Sequence, residues 1–209
     1  MRLRTRFDEA PVTVSIVAFT VAVWLVHLAL QHWAHINTDL TLADNGSGIH
    51  GDWWRLFTTM VVHFGVLHIG LNMLVLWQLG PPVERVLGRW LYFASYVVCG
   101  VAGGVVSDVV LKSTALSGGA SGAIVGVVGV LVGNTLITQE LHAWGRRSTQ
   151  RWKFNPKVAR SLAIQIVLWI AITAEFIKQI DNWAHIGGGV AGLLIGALVA
   201  SVRSEPVPA

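Results

Sequence analysis

Apolar residues in this chain come in long, nearly unbroken stretches separated by short polar, charged or Gly/Pro-rich breaks. The recurring length is about 20 residues, which an α-helix needs to cross ~30 Å of hydrocarbon. The windows and breakers together predict helices over Val12–Leu30, Leu56–Leu79, Arg89–Ser107, Ser121–Thr138, Val158–Ile177 and Trp183–Val202. Gly100, Gly103 and Gly104 dilute the third of these, but membrane helices carry more glycine than soluble ones. The expectation is an all-α polytopic membrane protein with six transmembrane helices. One membrane domain covers 1–209, with a short N-terminal tail (1–10), a long loop (31–55) and a basic loop (139–157). A loop as long as 31–55 is usually functional or disordered.

Composition agrees, with 54% of the 209 residues hydrophobic and only 12% charged. The basic residues are unevenly placed. Arg2, Arg4, Arg6, Arg85, Arg89, Arg146, Arg147, Arg151, Lys153, Lys157, Arg160 and Arg203 fall on one predicted face, and only Arg55, Lys112 and Lys178 on the other. By the positive-inside rule both termini are then cytoplasmic, as an even number of spans requires. The same bias accounts for the net charge of +4, so the basic loop reads as topogenic and lipid-facing and no nucleic-acid partner is implied. Met1–Phe7 and the apolar run after it do not make a cleavable signal, because the run is too long and Gln31-His32-Trp33 stands where small residues are needed. The single cysteine, Cys99, permits no internal disulfide and no Cys metal cluster.

Three polar features interrupt the apolar spans, where such groups are costly and usually functional. On the second span His68 and Asn72 are four apart and share a helical face, while His63 lies about 140° around from His68 and is set apart from this stripe. Interhelical hydrogen-bond glue is the plain alternative for such a pair. On the fourth span Ser121 follows a flexible Ser117-Gly118-Gly119-Ala120 lead. At a helix start its oxygen sits near unpaired backbone N–H groups and the positive end of the helix dipole. Taken alone, an N-cap role explains that serine as well.

Glycines connect the features. Gly122, Gly126, Gly129 and Gly133 make one small-residue face on the fourth span, and on the sixth Gly188, Gly189, Gly192 and Gly196 all fall within about 60° of His185. Docking those two faces brings His185 to Ser121. A serine, a histidine and a His/Asn stripe are the parts of an acyl-transfer site: nucleophile, base and oxyanion donors.

The chain resembles the rhomboid intramembrane serine proteases. Gly119-Ala120-Ser121-Gly122 is similar to the family's motif at its catalytic serine, His63 through His68 to Asn72 to its spaced histidines ending in asparagine, and Asn182-Trp183-Ala184-His185-Ile186-Gly187-Gly188 to the segment with its catalytic histidine. Trp54-Arg55 and Gly80-Pro81-Pro82-Val83-Glu84 through Gly88 resemble two further signatures. The resemblance implies a Ser-His dyad, with Ser121 as nucleophile and His185 as general base and acid. Asn72 and His68 then join the backbone N–H of Ser121 as oxyanion donors. It implies no cofactor and no metal, and as partners the lipid bilayer and transmembrane protein substrates cut in or near a helix that locally unwinds. Two positions depart from the pattern: Val125 where the family often has a tyrosine packed on the catalytic histidine, and Thr59 where some members have another histidine.

Other positions read as structural. The tryptophans near predicted span ends, Trp24, Trp33, Trp53, Trp54, Trp77, Trp90 and Trp183, fit interfacial belts. Arg55 is expected to tie down loop carbonyls, and Glu84 to form a bracket beside Arg85 and Arg89. His27 has no nearby polar partner in sequence. Gln165, Glu175 and Asp181 lie on or beside the fifth span, whose outer end the family resemblance implies as a gate for substrate entry. A proton or ion transporter predicts mid-span carboxylates and repeated halves, and neither is found. A client-binding pseudoprotease normally lacks the serine or the histidine, and both are here. The compact six-span form without a transit peptide points to a prokaryotic plasma membrane.

Overall fold

The computed structural model describes residues 6–111, 116–149, 155–176 and 181–207. After a short α1 (Arg6–Glu9), α2 (Pro11–Ala34) opens on a proline whose missing N–H is no loss in a first turn. The connection after α2 runs past the expected long loop and holds α3 (Asp39–Leu42), a 3-10 turn over Gly48–His50, α4 (Arg55–Thr58) and a second 3-10 turn over Thr59–Val61. Then come α5 (Val66–Leu87), α6 (Arg89–Leu111), α7 (Ser121–Ala143), α8 (Pro156–Phe176) and α9 (Asn182–Val202). Among the described residues five helices, α2, α5, α6, α7 and α9, are long and apolar enough to cross a membrane. The matching apolar stretch of α8 is Ala159–Leu168. This is an integral, multi-pass membrane protein.

The second helix departs most from expectation. It begins at Val66 rather than Leu56, because Gly65 and the turn before it break the apolar run, and it continues through Pro81 and Pro82 to Leu87. The prolines supply no backbone donor, yet membrane helices absorb such breaks where neighbouring groups re-satisfy the backbone. Gly88, at φ 82°, ends the helix in a conformation few other residues adopt. Three further ends move outward, the first being α2, which runs past Leu30 to Ala34, into the expected long loop. α6 continues past Ser107, and α7 runs to Ala143, into the segment expected to be loop. Part of that basic loop is a strand, β1 (Arg146–Ser148), paired antiparallel with β2 (Ser204–Pro206), and Arg147 meets Glu205 at 2.7 Å. Three-residue strands are too short to leave a periodic signal.

The core forms around α7, which packs most extensively on α9 and then on α6. Leu76, Val83, Tyr92, Cys99, Ile124, Val127, Val130 and Leu131 are its buried centre. Leu25, Leu74, Val98, Leu168, Leu194 and Leu198 stay exposed on the outer faces, as lipid-facing residues must. At one end Glu84 is 2% exposed and accepts from the N–H groups of Val12 (2.9 Å) and Thr13 (2.8 Å) and from the Thr13 hydroxyl (2.8 Å). Its partner is therefore the start of α2. The expected pairing with Arg85 is replaced by an Arg85–Glu9 approach of 4.0 Å.

Candidate active site

Ser121 is the first residue of α7, and Ala120 occupies the N-cap, so the serine hydroxyl is not the cap of its own helix. The lead into it is held on several sides. Ser117 exchanges two backbone hydrogen bonds with Asp44 (2.9 and 2.6 Å), its carbonyl accepts from the Thr59 hydroxyl at 2.8 Å, and Gly119 N–H donates to the Thr59 carbonyl at 2.9 Å. Gly119 has φ +126°, and a Cβ there would lie 2.7 Å from His68 Nε2. Only glycine permits both that backbone turn and that approach.

His185 lies in the first turn of α9, 6% exposed, with Nε2 2.8 Å from Ser121 Oγ. This is hydrogen-bond distance, and with the proton of a neutral imidazole on Nδ1 the hydroxyl is the donor. Helix docking produces it. A Cβ on Gly122 would stand 3.1 Å from the Ala184 carbonyl oxygen, and Cβ atoms on Gly188 and Gly192 would run into the carbonyl oxygens of Gly122 and Gly126. Val125, on the same side of α7, would meet a Cβ on Gly189 at 3.3 Å through its Cγ1.

His68 and Asn72 line the same cavity as Ser121 and His185. Asn72 is buried, its Nδ2 donates to the His68 carbonyl at 2.9 Å, and its Oδ1 has no hydrogen-bond partner among the described residues. The remaining amide hydrogen of Asn72 is available to a bound group. His63 departs from the sequence reading. Lying before α5 rather than on it, it packs its ring against His68 with centroids 5.0 Å apart, and its Nε2 accepts from the Ala120 N–H at 3.4 Å. A helical wheel cannot place a residue that is not on the helix.

Arg55 is buried. Its guanidinium donates to the Ala43 carbonyl (2.6 Å) and to Asp52 Oδ2 (3.0 Å), and Thr58 donates to the Leu42 carbonyl (2.6 Å). Trp54 packs edge-on against Trp53, and Trp33, Trp53 and Trp90 are largely exposed. His27 finds Thr38 at 2.5 Å and Asp39 at 3.8 Å across the turn after α2. Gln165 donates to the Ser161 hydroxyl at 3.1 Å. Lys112, Arg151, Lys153, Lys178, Arg2 and Arg4 lie outside the described residues, as does the side chain of Glu175.

Asp181, expected on or beside the fifth span, lies beyond the end of α8. It is the N-cap of α9, accepting from Ala184 N–H at 2.9 Å, and it receives the hydroxyls of Ser117 (2.8 Å) and Ser107. An aspartate directly before an apolar run is a helix-start signal that identifies the cap; nothing in the sequence identifies the two serines. Asp44 was equally hidden. It is buried beside Asp108, and its carboxyl is pushed up to about 6, first by burial and then by the facing Asp108 carboxylate.

A family model described as the Rhomboid domain matches residues 50–202. The chain is similar to the rhomboid protease GluP of Bacillus subtilis, 32% identical over 168 residues, covering 77% of this chain and 30% of that protein. It is also similar to the rhomboid-type serine protease 2 of Emericella nidulans, 32% identical over 70% of this chain and 27% of the relative. The putative rhomboid protease YdcA of Bacillus subtilis is 29% identical over 201 residues, 93% of this chain and 92% of that one. The chain thus spans about a third or less of GluP and of the Emericella relative.

Proposed function

The chain belongs to the rhomboid family, and on that premise we propose that it is an intramembrane serine endopeptidase that cuts transmembrane segments of membrane-anchored proteins. The observation that carries the reading is the 2.8 Å approach of His185 Nε2 to Ser121 Oγ in a cavity also lined by His68 and Asn72. The Ser121 oxygen attacks the scissile carbonyl carbon as its proton passes to His185 Nε2. The negative charge that develops on the carbonyl oxygen is met by the Ser121 backbone N–H at the start of α7, by the Asn72 amide and by His68. The C–N bond then breaks, the amine leaves with the proton from His185, and the acyl group stays on Ser121. Water gives a proton to His185 and attacks the ester; the carboxyl product departs and Ser121 recovers its proton. A peptide bond inside an intact helix is hydrogen-bonded and covered, so substrate helices must open before they are cut.

In this reading α8 makes a sixth crossing and both termini lie in the cytoplasm. The supporting observations are that β1, which follows α7, pairs with β2, which follows α9, so those two helices end together, and that Arg85, Arg89, Arg146, Arg147, Lys157, Arg160 and Arg203 stand at or near element ends. The bacterial relatives favour a prokaryotic plasma membrane.

The test is cleavage of a single-span reporter with a helix-weakening stretch near its outer end, in detergent, by the wild type, Ser121→Ala and His185→Ala. A serine-reactive fluorophosphonate supplies a second readout. Cutting and labelling by the wild type alone are expected. No cutting with no labelling, or cutting that survives Ser121→Ala, overturns the reading.

A further inference from the structure

We propose that Asp181 is a positioning residue for the Ser121–His185 pair, a role that rests on the protease reading above. Its carboxylate holds together the elements that carry that pair. Oδ1 accepts from the Ala184 N–H at 2.9 Å and so fixes the first turn of α9, where His185 follows directly. Oδ2 accepts from the Ser117 hydroxyl at 2.8 Å, four residues before Ser121, and from the Ser107 hydroxyl on α6. The Ser117 backbone is in turn bridged to Asp44. One side chain thus ties α9, α6 and the loop leading to the nucleophile, three segments distant in sequence, at a single point.

The number of bonds argues for more than a cap. An N-cap needs only one acceptor oxygen, and serine or asparagine serves as well as aspartate. Here the second oxygen faces away from the helix it caps and is used twice. A carboxylate is acceptor-only and can take several donors, so an ionised Asp181 suits the two hydroxyls better than a neutral amide does. Asp181 also lines the cavity that holds Ser121 and His185 and sits about one helical turn from the imidazole. Its negative charge is therefore fixed near the ring that becomes positive when Ser121 gives up its proton. A preorganised charge at that place lowers the barrier without any movement during the reaction.

Three variants separate the bridge from the cap. Asp181→Ser keeps a good cap but cannot reach Ser107 or Ser117. Asp181→Asn keeps cap and shape but removes the charge. Ser117→Ala removes one arm of the bridge and leaves the cap untouched. With the reporter described above, kcat is expected to fall, on the order of a hundredfold for Asp181→Ser and less for the other two, because small misplacements of reacting groups cost about that much. KM should stay near the wild-type value, and kcat should fall further than any drop in the midpoint of thermal unfolding explains, since the hydroxyls of Ser107 and Ser117 lose an acceptor in Asp181→Ser. Wild-type kcat in Asp181→Ser, or losses of kcat that only follow losses of thermal stability, reduces Asp181 to an ordinary cap and overturns the proposal. The 15N shifts of selectively labelled His185 read its bond to Ser121 without turnover. They should move in Asp181→Ser, and unchanged shifts overturn the proposal even if no reporter is cut. Absence of cutting by the wild type, with shifts that do move, instead strikes the protease reading and leaves the positioning role standing.

Discussion

Gly188 of α9 rests directly on the backbone carbonyl of Gly122 in α7, with no room for a side chain between them. One turn further on Gly192 repeats the contact with Gly126. His185 and Ser121 are placed by these two contacts, since each lies within a turn of the first. The close approach of the helices sets the 2.8 Å separation of Oγ and Nε2.

Gly192→Ala should therefore weaken both fold and reaction. Inserting a methyl where the facing atom is backbone forces the helices apart, and overpacking of this kind costs about 1–3 kcal/mol. We expect a lower midpoint in thermal unfolding in detergent and slower fluorophosphonate labelling of Ser121. Ala in place of Gly70, which is exposed on α5 with open space around it and no positive φ, serves as the control for adding a methyl to a helical glycine.

Asn72→Ala should lower kcat with little change in KM. The loss of one oxyanion donor typically reduces kcat by about 10²–10³, and Asn72 is buried in the cavity with an amide hydrogen free for that use. A rise in KM at constant kcat would instead assign Asn72 to substrate binding.

Glu84→Ala should destabilise the protein without acting on the dyad. The substitution strands the N–H groups of Val12 and Thr13 and the Thr13 hydroxyl at a buried helix start, and each orphaned buried group costs about 1–3 kcal/mol. Unfolding measurements should show the loss. Where the variant is still folded, kcat should match the wild type.

The long loop should bind its site more tightly in acid. Asp44 has its carboxyl raised from 3.8 to about 6 by burial and by Asp108. The stabilisation from its neutral form is complete below about pH 4 and is lost as pH rises through 6. Limited proteolysis at residues 43–52 should accelerate across that interval. Asp108→Asn removes the facing charge and should flatten the dependence; an identical profile in the variant would count against the pairing.

Apolar run length and glycine spacing, both local properties, were enough to identify the membrane class and the helices themselves. They also singled out the polar residues worth attention, because in lipid a serine, an asparagine or a histidine has few reasons to exist. The wheel of the sixth span even implied which face of α9 meets α7. Helix ends were less legible. The start of α5 at Val66 and its passage through Pro81 and Pro82 depend on contacts such as Glu84 with α2, which no window of sequence contains. The tertiary structure alone decided where His63 points, how Ser117 and Asp44 pair, and that Asp181, besides capping α9, takes the hydroxyls of Ser107 on α6 and Ser117 in the loop before α7. Those bonds join residues far apart in the chain, and directional polar contacts of that kind have no period for a linear pattern to reveal.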